Sequence, residues 1–351
     1  MKNKKFFFEI LIKWNRNENK REMPWKGEKD PYKIWISEII LQQTRVQQGL
    51  NYYNRFIKKW PTVNDLANAP EQEIYKLWEG LGYYSRCRNL ITSAKYITDT
   101  LNGKFPEKYA DILSLKGIGD YTAAAIASFA FNQPYAVVDG NVFRVLARVF
   151  GIETPVDSTE GKKLFKELAN ELLDKNNPAE YNQAIMDFGA VICKPAVPLC
   201  AECPFHERCI AYQKRTVEVL PVKEKKIKQR TRFFNYLLVE QDGNIYINQR
   251  TDKDIWQNLY EFILVETGSL VAEKEFLHSS AFTSLLGKNN FKVNRISKIY
   301  IQKLTHQTIN GRFIHIKIKN SKANLKKYKL IPVRDLKNLA FPKFIASYLQ
   351  D

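Results

Sequence analysis

Apolar side chains recur at spacings of three and four through residues 1–215. Phe7, Ile10, Leu11 and Trp14 share one face of an expected first helix. The stretches "DPYKIWISEIILQQTRVQQ", "DSTEGKKLFKELANELLDK" and "NQAIMDFGAVI" continue the helical period, with Pro and Gly punctuating the segments. Beyond residue 233 the period changes. "FFNYLLVE" and "NIYINQR" read as strands joined at Gln241-Asp242-Gly243, a hairpin signal. "KIYIQKL" and "RFIHIKIK" alternate with period two, with Asn310-Gly311 between them, and a helix is expected over about 270–287. Between the two textures lies "TVEVLPVKEKKIKQRTR", which offers little to bury and holds six basic residues and one acidic residue from Lys223 to Arg232. The chain therefore divides into a mainly α domain (1–215), a basic linker (216–232) open to phosphate contact, and a smaller α+β domain (233–351).

At 351 residues there is enough chain for two cores. Fifty-five Lys and Arg against 37 Asp and Glu leave a formal charge of +18, which points to a polyanionic partner. The opening "MKNKKFFFEILIKWNRNENKR" has a basic start and an apolar run. Glu9 interrupts that run, Lys13 ends it, and no small-residue cleavage site follows. A cytoplasmic, nucleoid-associated chain without a membrane segment is expected.

Four of the five cysteines, Cys193, Cys200, Cys203 and Cys209, fall within 17 residues. A secreted disulfide framework spaces its cysteines differently, so a metal centre is expected: a zinc ion or an iron–sulfur cluster, with spacing deciding neither. Cys87 reads as an ordinary thiol. In "LSLKGIGDYTAAAIASFAF", Gly117 and Gly119 make a tight turn before a helix, either a plain connection or a place where N–H groups meet a phosphate. Glu38 lies among Trp35, Ile36, Ile39, Ile40 and Leu41. It is either the edge of an apolar stripe paired with a base or a desolvated acid able to give up a proton near pH 7. In "AVVDGNVFRVLARVF", Asp139 is either a helix cap or a second carboxylate held ionised by the helix start. One acid biased neutral and one biased charged is how labour is divided when a glycosidic bond breaks.

Together "SEIILQQTRV", "GLGYYSRCRNL", "LKGIGDYTAAAI", "VVDGNVFRVLAR" and the cysteine run resemble the MutY-type adenine DNA glycosylases. That resemblance implies a helix–hairpin–helix glycosylase domain with a [4Fe–4S] loop at 193–209, followed by a Nudix-like domain that recognises 8-oxoguanine. It implies a monomer acting on double-stranded DNA that carries adenine opposite 8-oxoguanine or guanine. Glu38 would protonate the adenine and Asp139 would stabilise the cationic sugar, with Tyr121 and Asn141 in support. Gln43, Thr44 and Tyr83 would wedge the duplex, Arg86, Gly117 and Gly119 would contact DNA, and Trp25 and Gln183 would line the adenine pocket. Lys194, His206 and Arg208 would form a basic edge on the cluster loop.

Two departures shape the expected activity. Endonuclease III-type relatives place a Schiff-base lysine where this chain has Tyr121, and Lys116 lies on the wrong side of the turn. A monofunctional glycosylase is expected over a glycosylase/lyase. After "WQNLYEFILVETG" no Arg-Glu-x-x-Glu-Glu run follows, so the second domain should bind without hydrolysing. The family's Phe-Ser-His reading loop corresponds to Leu304, Thr305 and His306, which keeps a hydroxyl and loses the ring. A silent damage-binding protein is the remaining alternative, and the presence of both Glu38 and Asp139 counts against it. If the charge serves DNA, affinity should fall with salt at a log–log slope of about −5 to −9, for roughly six to ten phosphates neutralised. A nearly flat titration would remove that role.

Overall fold

A computed structural model describes residues 5–42, 44, 46–224, 229–287, 291–319 and 324–351. These fall into two compact units, drawn from 1–68 with 89–225 and from 69–88 with 226–351. The helices preceding the first strand are α1 (Lys5–Asn17), α2 (Pro31–Leu41), α3 (Val46–Lys59), α4 (Val63–Asn68), α5 (Glu71–Trp78), α6 (Tyr84–Thr100), α7 (Tyr109–Ser114), α8 (Asp120–Phe131), α9 (Gly140–Phe150), α10 (Thr159–Leu172), α11 (Pro178–Val191) and α12 (Ile210–Gln213). Among the described residues no helix is long and apolar enough to cross a membrane.

In the first unit, local sequence fixes the helix starts that matter for the site. Asp30 caps α2 by accepting the Tyr32 N–H at 2.9 Å, and Pro31 occupies the first turn, where its missing N–H is not needed. Helix α8 buries Ala123, Ala124, Ala125 and Ala127, and these small side chains let α2 lie close against it. Phe7 and Leu11 of α1 share a core with Val145 and Leu146 of α9, Phe165 of α10 and Phe188 of α11. The turn into α8 needs glycine at 117. Its φ is +85°, and a Cβ there would sit 2.6 Å from the Asn89 Cβ. The segment expected as linker is partly packed: Leu220 is buried, and the Val222 carbonyl accepts the Val156 N–H at 3.0 Å.

The second unit is built on a seven-stranded sheet of β1 (Arg230–Gln241), β2 (Asn244–Gln249), β3 (Tyr260–Thr267), β4 (Phe291–Ile296), β5 (Tyr300–Lys303), β6 (Gln307–Ile318) and β7 (Lys329–Pro332). The order is β4-β6-β1-β3-β2-β7, with β5 also beside β6. Strands β1 and β6 are parallel and the other pairs are antiparallel. The expected first hairpin is present. Gln241 pairs with Asn244 around Asp242 and Gly243, both at positive φ, as a type I′ turn requires.

Period two then decides the faces. Leu237, Val239, Ile314 and Ile316 pack under α13 (Glu273–His278) and α14 (Ser280–Leu286), through Phe276, Phe282 and Leu286. Tyr236 and Phe313 point the other way, onto Phe344 and Tyr348 of α15 (Lys343–Gln350). Residues 69–88 belong to this unit. Asn258 Nδ2 donates to the Tyr75 hydroxyl at 3.0 Å, Lys76 Nζ to the Leu339 carbonyl at 2.9 Å and Arg88 Nη1 to Gln257 Oε1 at 2.7 Å.

Three local expectations are corrected. The helix expected over 270–287 is two helices, because Ser279 adopts extended backbone and its hydroxyl accepts the Phe282 N–H at the start of α14. Asn310-Gly311, expected between two strands, lies within one: Asn310 pairs with Phe233 and Gly311 with Phe234 inside β6, and the chain reverses at Leu304–His306. Arg232 is no phosphate contact. It is buried, donating to Glu266 at 2.6 Å and to Asp254 at 2.9 Å. The glycine at 311 reflects crowding, since a Cβ would lie 2.8 Å from Phe344 Cζ and 2.9 Å from the Phe234 carbonyl. Gly311→Ala should therefore lower stability by about 1–3 kcal/mol, seen as an earlier urea midpoint at unchanged slope. An unaltered midpoint would show that α15 yields freely.

Candidate active site

A cavity of about 780 Å³ opens in the first unit, lined by residues of α2, α8, α9 and α11 and of the segment 21–29. Glu38, on the inner face of α2, keeps only 7% of its surface exposed. The Tyr121 hydroxyl, one residue into α8, donates to Glu38 Oε2 at 2.6 Å. Loss of water pushes the Glu38 pKa up to about 7; the tyrosine bond opposes the shift and the charge of Asp139 adds to it. Tyr121 is itself pushed well above its ordinary range, by burial first and by the two acids second, so it stays a donor.

Asp139 caps α9: Oδ1 accepts the Val142 N–H at 2.8 Å and Oδ2 accepts from Asn141 Nδ2 at 2.7 Å. These bonds, with Arg144, pull its pKa down as expected. Burial outweighs them, and the net shift is upward, which corrects the expectation of a group biased only toward charge. The two acids still differ in kind, since Asp139 is held by N–H donors at a helix start and Glu38 by a single phenol. Behind them, Arg144 Nη2 donates to Asn141 Oδ1 and to the Gly189 carbonyl, both at 2.8 Å, and Arg144 Nε reaches the Cys193 carbonyl at 2.7 Å.

Trp25 and Gln183, expected at the adenine pocket, and Thr44, expected as a wedge, also line the cavity; Gln43 lies outside the described residues. Gly117 and Gly119 form the turn before α8, with Gly119 as its cap. Arg21, Lys26 and Asp187 were not anticipated. The Asp187 side chain has no exposed surface and accepts from Arg21 Nη1 at 2.7 Å and Lys26 Nζ at 3.1 Å. A signal existed: Asp187 is a lone acid among Ile185, Met186, Phe188 and Gly189, the same anomaly that marked Glu38.

Cys193, Cys200, Cys203 and Cys209 line a common recess with Arg148, Phe188 and Ile192. Arg148 Nη1 lies 3.5 Å from Cys193 Sγ, the Phe205 N–H donates to Cys203, and the Tyr212 and Ala211 N–H groups donate to Cys209. Donors aimed at sulfur suit thiolates that bind metal. Among the described residues no three His, Cys, Asp or Glu side chains are grouped closely enough to hold a metal ion. Cys87 is fully buried elsewhere.

Tyr83, Arg86, Thr305 and His306 belong to the second unit. Tyr83 has φ +47°, and its hydroxyl lies 2.9 Å from Thr305 Oγ1. The Arg86 guanidinium stands 4.9 Å from the Tyr83 ring centroid and 5.8 Å from that of Trp78. His306 is exposed at the β5–β6 turn, its carbonyl accepting the Arg230 N–H.

The chain is similar to known proteins. Residues 36–173 match the family described as HhH-GPD superfamily base excision DNA repair protein, and residues 235–351 match the NUDIX domain. Over 307 residues the chain is 34% identical to an adenine DNA glycosylase of Buchnera aphidicola subsp. Baizongia pistaciae, covering 86% of this chain and 84% of that one. It is 43% identical over 220 residues to the adenine DNA glycosylase of Homo sapiens, covering 60% of this chain and 40% of that one. Among solved structures it is similar to a thermostable thymine-DNA glycosylase, at 32% identity and a TM-score of 0.56, over 61% of this chain and 98% of the other. With both domains matched and a relative aligned along most of its length, the chain belongs to the MutY-type adenine DNA glycosylase family.

Proposed function

We propose that this adenine DNA glycosylase of base excision repair acts on adenine paired with 8-oxoguanine or guanine, with Glu38 as its general acid. The observation that carries the reading is the Glu38–Tyr121 pair facing Asp139 across the cavity. Tyr121 occupies Oε2, which leaves Oε1 to carry the proton. Glu38 gives that proton to N7 of the flipped adenine, the C1′–N9 bond breaks, and its electron pair leaves with the base. The positive charge left on the sugar faces Asp139, which Val142 and Asn141 hold in place; water then adds at C1′, its O–H bond breaking and its proton returning to the Glu38 carboxylate. Tyr121 offers no amine, so strand cleavage does not follow.

Flipping a base out of the stack costs roughly a few kcal/mol, which wedges from Gln43, Thr44 and Tyr83 offset. The Tyr83–Thr305 contact supports a role for the β5–β6 turn, with Thr305 and His306, in reading 8-oxoguanine. The four cysteines would hold a [4Fe–4S] cluster, whose bonds to sulfur would fix the loop between α11 and α12. The protein works as a monomer on DNA in the cytoplasm, and its Nudix-like domain binds without hydrolysing.

Glu38→Gln should slow single-turnover excision by about 10²–10⁴-fold with mispair binding nearly intact. Wild-type excision should fall as pH rises through about 7, where Glu38 loses its proton. The same shift sets stability: a carboxyl raised in the folded state binds its proton more tightly there, so wild-type stability falls as pH climbs from the unfolded value toward 7. Glu38→Gln should escape this loss and be the more stable protein above pH 7, by roughly 3 kcal/mol. Rapid excision by the variant would refute the acid assignment. Asp139→Asn should also be inactive, through loss of negative charge toward the sugar.

Purified protein should be brown, with iron and acid-labile sulfide each at about four per chain. A colourless protein with one zinc would sink the cluster. Cys203→Ser should weaken folding and DNA binding together.

A further inference from the structure

The loop between β2 and β3 holds two residues other than glycine in the left-handed region, Trp256 at φ +62° and Asn258 at φ +73°. Backbone of this kind is unfavourable and persists only where its surroundings fix it. Here the fixing is largely ionic. Arg250, at the start of the loop, donates to Glu261 at 2.6 Å, to Asp254 at 2.8 Å and to the Ile255 carbonyl at 3.0 Å. Its own carbonyl accepts the Asn258 N–H at 2.7 Å. The buried Trp256 ring stacks on Phe344 of α15, with centroids 6.1 Å apart. The next two side chains reach residues 69–88: Gln257 Oε1 accepts from Arg88 Nη1 at 2.7 Å, and Asn258 Nδ2 donates to the Tyr75 hydroxyl at 3.0 Å. Asparagine suits position 258 twice over, because it tolerates the left-handed backbone and supplies a donor that glycine lacks.

The same segment carries Tyr83, itself left-handed at φ +47°, with its hydroxyl 2.9 Å from Thr305 Oγ1. Between Tyr75 and Tyr83 the segment is tightly packed. Tyr75 and Trp78 have no exposed surface, and the Trp78 indole N–H donates to the Gly82 carbonyl at 2.9 Å. Close-packed interiors transmit displacement, so a shift at Tyr75 is felt at the residue before Tyr83. We propose that Asn258 is a positioning residue for Tyr83: by holding Tyr75, it sets where the tyrosine stands relative to the turn that carries Thr305. The inference rests on the wedging role proposed above for Tyr83 and adds the residue that aligns it. Guanine lacks the N7–H and O8 that Thr305 would read, so misalignment costs more opposite 8-oxoguanine than opposite guanine.

The test uses Asn258→Gly, because glycine accepts φ +73° and removes only the side chain that holds Tyr75. Single-turnover excision of adenine is measured opposite 8-oxoguanine and opposite guanine. A 2-aminopurine placed next to the 8-oxoguanine brightens when a wedge unstacks it, and gives a second reading that needs no excision. Asn258→Gly should narrow the preference for 8-oxoguanine by about fivefold, roughly the worth of one hydrogen bond, and should dim the 2-aminopurine. In a Tyr83→Ala background the same change should alter neither reading further. A merely structural Asn258 would lower the melting temperature and slow both duplexes by one factor at full brightness, and that result overturns the proposal. A further loss in the Tyr83→Ala background overturns it too. If Asn258→Gly does not fold, Tyr75→Phe cuts the same bond from its other side and decides by the same readings. Tyr83→Ala alone separates the two ideas. If it leaves the preference unchanged, the wedging role fails and takes the proposal with it; if it collapses the preference while Asn258→Gly does not, the anchor alone fails.

Discussion

Everything in the first unit is arranged around one costly act: keeping the Glu38 carboxyl out of water. An ionised carboxylate in an apolar wall costs several kcal/mol unless donors surround it, and among the described residues the Tyr121 hydroxyl alone donates to it. The group responds by holding its proton, which is the state an acid catalyst needs. The surrounding structure must make that retention reproducible. Helix α2 has to start at Asp30 for Glu38 to face inward, and α8 has to be lined with alanines for Tyr121 to come within 2.6 Å. The α9 cap has to fall at Asp139 for the second charge to sit opposite. Each condition is local chemistry at a helix start or along a helix face, and together they place three side chains from three helices around one cavity.

The same cavity shows how differently three buried acids can be treated. Asp187 receives four donors, two of them cationic, and is held in one orientation by them. Asp139 receives an N–H and an amide, enough to hold its geometry while burial still pulls its pKa upward. Glu38 receives one phenol and stays poised near neutrality. Burial is common to all three. The number and charge of the donors separate their behaviour.

Much of this was legible in the sequence because the informative residues violate their surroundings. Glu38 stands out in an apolar run, Asp139 precedes Gly140 at a helix start, and four cysteines crowd a short loop. Periodicity likewise separated the helical half from the strands and located the Asp242-Gly243 turn. What sequence could not give was long-range partnership. Nothing in "EQEIYKLW" announces that Tyr75 will meet Asn258, or in "GLGYYS" that the Tyr83 hydroxyl will reach Thr305. Gly311 stood between the expected strands, yet it lies inside β6, where its use is room for Phe344. Asp187 was missed although it obeys the same logic as Glu38; its donors, Arg21 and Lys26, lie some 160 residues away.

Charge needs the same care. The formal +18 invites an assignment of every basic residue to DNA, yet several arginines face inward. Arg232 and Arg250 neutralise Glu266, Asp254 and Glu261 inside the second unit. Arg148 is more unusual: it is buried, and its described hydrogen-bond partners are the carbonyls of Leu220, Lys194 and Pro195 and the sulfur of Cys193. Carbonyl dipoles orient a guanidinium but do not cancel its charge, so a buried cation held this way calls for negative charge nearby. Neutral thiols do not provide it. Thiolates bound to a cluster would, since metal ligation keeps sulfur deprotonated and lets its negative charge sit in a buried recess. If the proposed cluster is bound, Arg148 and the backbone N–H groups around the cysteines would face an anionic centre, and the arginine and the thiolates would each compensate the burial of the other.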